Sequence, residues 1–283
     1  MGSNVLEALA AEYPQLYLNP DVDTQDAYRR VVLQGEEPAV KSLAHYRGDV
    51  LDRQETADTP AGPVRVVTLG NRHDFELVMR GLTAVKSGPR ASIPASQGAS
   101  MLTVFNWPRI HAHLAAFPLA ERSAEFKRFT ADKANYIDRL VVLSRGPYSH
   151  VDAAAAGCSP EEWLRLSDTI RRYHELTHVI CRRQYPDRID PVHDELVADA
   201  VGLYAAYGYF DPDKERLFLG ISDGCYTGGR LENYTDDPQR LAGTVSAEID
   251  RMKQIIDKQG ALHPFDLIPA LMDAEEKEER LSL

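Results

Sequence analysis

His174-Glu175-Leu176-Thr177-His178, followed by Asp194-Glu195-Leu196-Val197-Ala198-Asp199, is the part of this chain that carries chemistry. On a helix, residues four apart lie about 40° apart and one turn along the axis, so two such side chains reach a common point. His174 and His178 can therefore grip one metal ion, and Glu175 between them is placed to take a proton from water on that metal. Glu195 offers a third ligand. Asp199, four residues further, is placed to accept the free ring N–H of a liganding histidine and fix its tautomer.

The flanking residues predict where these groups sit. Ser159 with Glu162 forms a capping box and Pro160 takes the first helical position, so a helix should start there and run to about Tyr185, before Pro186. Along it Trp163, Ile170, His174, Thr177, His178 and Cys181 recur at three- and four-residue steps, one stripe carrying apolar side chains and both histidines. Arg171, Arg172, Arg182 and Arg183 are expected mostly on the solvated face. Asp190-Pro191 repeats the cap-then-proline signal for a returning helix that ends near Gly208 and places Glu195 on its first turns. His193 points elsewhere by helical phase, and Cys181 is read as core. Further helices are expected from Asp237-Pro238 to Gly260 and from about Pro264, with the charge run Glu275–Arg280 as an exposed helical end.

Towards the N-terminus the chemical signals thin out. Helices are expected near Val5–Glu12 and Asp23–Gln34, strands at Val64–Leu69, Met101–Phe105 and Leu140–Ser144, and interrupted helix across Ala112–Asp138. The Gly-, Pro- and Ser-rich run Lys86–Ser100 reads either as a junction or as a loop lining a pocket. It divides the chain into an N-terminal α/β subdomain, residues 1–95, and a catalytic domain, residues 96–283.

At 283 residues, with 43% hydrophobic and 27% charged, the chain can bury a full core. Its net charge of −11 repels phosphate backbones, so nucleic acid is not expected as a partner. No basic region followed by a long apolar stretch opens the sequence and no run reaches membrane-spanning length, so neither signal peptide nor membrane anchor is expected. Cys158, Cys181 and Cys225 fit a reduced thiol set and a cytoplasmic setting.

The two motifs together resemble the gluzincin branch of zinc metallopeptidases, the group containing thermolysin, over about residues 159–208. The resemblance implies His174, His178 and Glu195 as zinc ligands, Glu175 as base and Asp199 as orienter. It also implies an α+β, zincin-like fold, with a small mixed sheet over the metal-bearing helix and a helical C-terminal part. The ligand interval is slightly shorter than thermolysin's. For the oxyanion of a tetrahedral intermediate, Tyr226, Arg230 and Tyr234 are the candidate donors, in a segment whose Gly228-Gly229 step suits a tight turn. His263 is read as a surface residue at a helix start.

The expected activity is zinc-dependent hydrolysis of a peptide or small amide, with substrate lying along Leu140–Ser144 as an edge strand. The alternative is a non-haem Fe2+, 2-oxoglutarate-dependent hydroxylase built on the same two histidines and carboxylate. That chemistry needs a basic side chain for the cosubstrate, drawn from Arg171, Arg172, Arg182 or Arg230.

Overall fold

In the computed structural model the described residues are 4–84, 89–94, 97–188, 190–260 and 262–279, with side chains described as far as residue 273. The helices are α1 (Asn4–Glu12), α2 (Gln25–Arg29), α3 (Arg72–Leu82), α4 (Trp107–Ala115), α5 (Arg122–Thr130), α6 (Pro160–Gln184), α7 (Pro191–Tyr207), α8 (Pro212–Leu219), α9 (Pro238–Gln259) and α10 (Leu267–Glu279). The strands are β1 (Arg53–Ala57), β2 (Val64–Leu69), β3 (Ala99–Phe105), β4 (Ile137–Ser144), β5 (Ile221–Ser222) and β6 (Cys225–Tyr226). The fold is α+β, mostly helical, with one small mixed sheet.

Two compact units divide the chain: Met1–Ala57 with Val64–Ser144, and Asp58–Pro63 with Arg145–Leu283. The boundary expected at residues 95/96 is thus displaced to 144/145. The reason is strand pairing, because β3 and β4 complete the sheet begun by β1 and β2, and hydrogen-bonded strands cannot belong to separate cores. Part of the Lys86–Ser100 run lies outside the described residues, as does Arg280 at the end of the C-terminal charge run.

In the first unit the strand order is β1-β2-β4-β3, with β2 and β4 parallel and both outer pairs antiparallel. The central strands are the apolar ones: Val66, Val67 and Leu69 of β2 and Leu140, Val141 and Val142 of β4 are almost fully buried. Covered on both faces, such strands read as continuous apolar runs. The outer strand β1 is the polar Arg-Gln-Glu-Thr-Ala, as suits an edge. Phe75, Val78, Met79 and Leu82 of α3 join the core with Leu9 and Tyr13. Leu140–Ser144 is therefore an inner strand, paired with β2 on one side and β3 on the other, and its expected role as a free edge for substrate is corrected.

In the second unit, α6 and α7 form an antiparallel hairpin. Ser159 Oγ caps the Glu162 amide at 3.3 Å, and Asp190 Oδ1 takes the amides of Val192 at 3.0 Å and His193 at 2.8 Å. Gly208, at φ +77°, ends α7 in the left-handed conformation that glycine adopts freely. The helices approach closely at one point: a Cβ on Gly202 would lie 2.8 Å from the Ile170 carbonyl oxygen. Ile170 is one turn before His174 and Gly202 just under one turn after Asp199, so this contact sets the spacing at the functional residues. Gly202→Ala is expected to destabilise the protein by about 1–3 kcal/mol through overpacking, lowering the thermal midpoint by several degrees in a calorimetric melt.

Candidate metal centre

The hairpin brings three donor atoms together. His174 Nε2 and His178 Nε2 lie 3.0 Å apart, Glu195 Oε1 is 3.3 Å from His178 Nε2, and Glu195 Oε2 is 3.4 Å from His174 Nε2. They form a cluster that could hold a metal ion. A tetrahedral ion with bonds of about 2.0–2.1 Å needs ligand atoms roughly 3.3 Å apart, and the contact between the imidazoles and the contact of each with one oxygen of the Glu195 carboxylate are of that size.

The ring protons sharpen the fit. His174 Nδ1 lies 2.7 Å from Asp199 Oδ1, and His178 Nδ1 lies 2.8 Å from Asp194 Oδ2. Each carboxylate draws a proton to Nδ1 and leaves a lone pair on Nε2. Two such lone pairs and a carboxylate converging on one point repel each other unless a cation or a proton lies between them. Glu195 Oε2 is buried without a hydrogen-bond partner, which also suits a metal ligand.

The same contacts set how these groups titrate when no metal is bound. Burial alone would lower the pKa of His178, but hydrogen bonds to Asp194 and Glu195 outweigh it and push it up to about 10. Burial would raise that of Glu195, but the hydrogen bond from His178 and the charges of His174, His178 and Arg230 hold it well below the usual carboxylate range. Against an unfolded histidine near 6.5, the stability contributed by His178 is fully present below that pH and is lost as pH rises through about 10. Chelator-treated protein is therefore expected to lose thermal stability between about pH 6.5 and 10 in melts taken with chelator. A bound metal replaces that proton, so metal affinity should rise over the same interval.

Behind His174 lies a polar junction in which Asp199 and Tyr148 are buried and Arg230 is partly so. Asp199 Oδ1 accepts from Tyr148 Oη at 2.5 Å, and its Oδ2 pairs with the Arg230 guanidinium, whose Nη1 donates to Tyr148 Oη at 3.1 Å. Burial would raise the Asp199 pKa, but Arg230 and the hydrogen bonds from His174 and Tyr148 lower it, keeping the carboxylate ionised. Arg230 is thus on the Nδ1 side of His174, where it serves Asp199. The turn that carries it depends on glycine: a Cβ on Gly229 would sit 2.5 Å from the Gly220 amide nitrogen.

The other candidates separate clearly. Glu175 is half-buried beside His174, and its charge acts on Arg171. Tyr234 lies close enough to Glu195, Asp199 and Arg230 to feel their charges; burial raises its pKa far above the ordinary value, so its hydroxyl stays a neutral donor. Tyr226 stays on its own turn, its hydroxyl 2.7 Å from Glu232 Oε2 and 3.0 Å from the Gly229 amide, and is not drawn to the centre. His193 faces Glu248 at 3.8 Å, Cys181 is buried outside the donor cluster, and His263 is exposed. Arg171 is buried rather than solvated, its Nη2 donating to the carbonyls of Gly146 at 3.0 Å and Pro147 at 3.1 Å.

Sequence reasoning misses Asp194, Tyr148 and Glu215. Asp194 directly precedes a ligand and could have been found by asking which α7 residue faces His178. Glu215 is fully buried with both carboxyl oxygens unpartnered, and burial followed by the charge of Asp199 raises its pKa well above the ordinary value.

Residues 2–260 match the model of a family of unknown function, DUF7005, and the chain belongs to that family. No curated protein and no solved structure matches it.

Proposed function

We propose that the protein is a zinc-dependent hydrolase cleaving an amide bond in a peptide or small amide. The observation that carries this reading is the cluster of His174, His178 and Glu195, in which the imidazole Nε2 atoms lie 3.0 Å apart and each lies 3.3–3.4 Å from one oxygen of the Glu195 carboxylate, with Glu175 next to His174 in sequence. When bound, zinc supplies Lewis-acid polarisation of the scissile carbonyl and makes a water acidic near neutral pH. Glu175 accepts the proton of the attacking water and passes it to the leaving nitrogen. Tyr234, a neutral donor next to Glu195, is assigned to the developing oxyanion. Asp199 and Asp194 hold the imidazole protons on Nδ1. The resemblance of the two motifs to gluzincins supports the same roles.

The iron and 2-oxoglutarate alternative uses the same donors but needs a basic side chain for the cosubstrate. Of the four arginines named for it, Arg230 is bound to Asp199 and Tyr148 and Arg171 to two backbone carbonyls, so only Arg172 and Arg182 stay in question, which weighs against it. Among the described residues no helix is long and apolar enough to cross a membrane. The three cysteines are free, which supports a reducing, cytoplasmic setting for the proposed activity.

Elemental analysis of protein purified without added metal, paired with cleavage of a peptide mixture, tests the assignment. One zinc per chain and chelator-sensitive cleavage is the expected result. Iron with 2-oxoglutarate turnover overturns it.

A further inference from the structure

Tyr148 is tied in place from every side. Its amide donates to Ser167 Oγ at 3.0 Å, and Arg171 holds the carbonyls of the two residues before it. Its ring lies under the guanidinium groups of Arg230 and Arg171, at 4.9 and 5.8 Å, and edge-on to Phe218 at 5.1 Å. The two residues after it, Ser149 and His150, adopt left-handed backbone at φ 52° and 58°, which side chains other than glycine rarely accept. Strain of this kind persists where the surroundings over-determine a conformation.

A phenylalanine would satisfy the ring contacts, so the packing alone does not explain a tyrosine. What the hydroxyl adds is polar: it lies 2.5 Å from Asp199 Oδ1, 2.9 Å from His174 Nδ1 and 3.1 Å from Arg230 Nη1. Only one arrangement of protons serves all three contacts and the His174 to Asp199 bond. Arg230 donates to the hydroxyl, the hydroxyl donates to Asp199, and His174 Nδ1–H is shared between Asp199 and the hydroxyl oxygen.

Resting on the reading that His174, His178 and Glu195 hold a divalent metal, we propose that Tyr148 is a positioning residue for His174. Its hydroxyl clamps Asp199 and the imidazole into the orientation that turns Nε2 towards Glu195. The role reaches the metal through His174, so it is separable from stability. Loss of a group that orients a ligand typically weakens metal affinity by about 10- to 100-fold.

The test uses Co2+ alone as probe, followed by its visible spectrum and by competition with a chelator, on the full chain. Wild type is expected to bind one Co2+, and His178→Ala to lose it. Tyr148→Phe is expected to bind about 10- to 100-fold more weakly with altered absorption bands. Tyr13→Phe removes another buried tyrosine hydroxyl, bonded to Asp138 at 2.8 Å, and is expected to leave affinity and spectrum unchanged. Should Tyr148→Phe fail to fold, Ser167→Ala releases the same backbone and is expected to weaken binding in the same direction. Wild-type affinity and spectrum in Tyr148→Phe, or in Ser167→Ala where that variant stands in, overturn the positioning role while His178→Ala still reports on the metal. If wild type binds no Co2+, the metal reading falls and takes this role with it.

Discussion

Glu175→Gln is expected to leave the protein folded and fully metal-loaded while lowering the rate of amide cleavage by about 10²–10⁴-fold. That range corresponds to roughly 3–5 kcal/mol of barrier. Folding should survive because the side chain is half-buried and the amide is isosteric with the carboxylate. Metal content should survive because Glu175 is outside the donor cluster of His174, His178 and Glu195. What the substitution removes is the basic oxygen that accepts the water proton. The measurement is turnover on a cleaved peptide, with metal stoichiometry determined on the same preparation. A fall in turnover with unchanged stoichiometry separates the base from the ligands, and an unchanged turnover rules out Glu175 as the base.

The centre is legible in the sequence because its geometry is local. His174 and His178 share a helix, and Glu195 follows after a short turn whose end is marked by Asp190-Pro191, so helix periodicity and capping together bring the three donors to one place. The same grammar locates α6, α7 and α9 through Ser159-Pro160, Asp190-Pro191 and Asp237-Pro238. Asp211-Pro212 carries it too and starts α8, an element the sequence reading passes over. Strand pairing is harder to read, since β2 finds its parallel partner in β4, with Arg65 opposite Leu140. No local pattern announces that register, and so the unit boundary falls beyond β4 instead of before β3. The polar β1 gives no apolar alternation to detect, because an edge strand has little to bury. Tyr148, and the pairing of Arg230 with Asp199, are hidden because the two residues reach Asp199 from 51 and 31 positions away through loops. Only the packed structure shows that a loop tyrosine and a turn arginine serve one carboxylate.

Glu195→Ala is expected to weaken metal binding strongly without abolishing it. Four-ligand structural zinc sites bind with about 10–16 kcal/mol, or roughly 3–4 kcal/mol per ligand, so removing one donor should weaken zinc by about 10²–10³-fold. The two histidines remain, each still held by its own aspartate, so the residual affinity should be that of a two-nitrogen site. A second consequence follows in the metal-free protein. Glu195 is one of the two carboxylates that push the pKa of His178 up to about 10. Without it only Asp194 opposes the burial of the imidazolium, the pKa falls, and the stability that His178 contributes is lost at lower pH. Melting curves of the chelated variant should therefore begin to fall at lower pH than those of wild type, while zinc competition with a chromophoric chelator reports the loss of affinity. Stoichiometric zinc at wild-type affinity in Glu195→Ala would remove Glu195 from the ligand set. An unmoved pH profile in the same variant would instead mean that Asp194 alone holds the proton on His178, so the two assays test the two roles of one carboxylate independently.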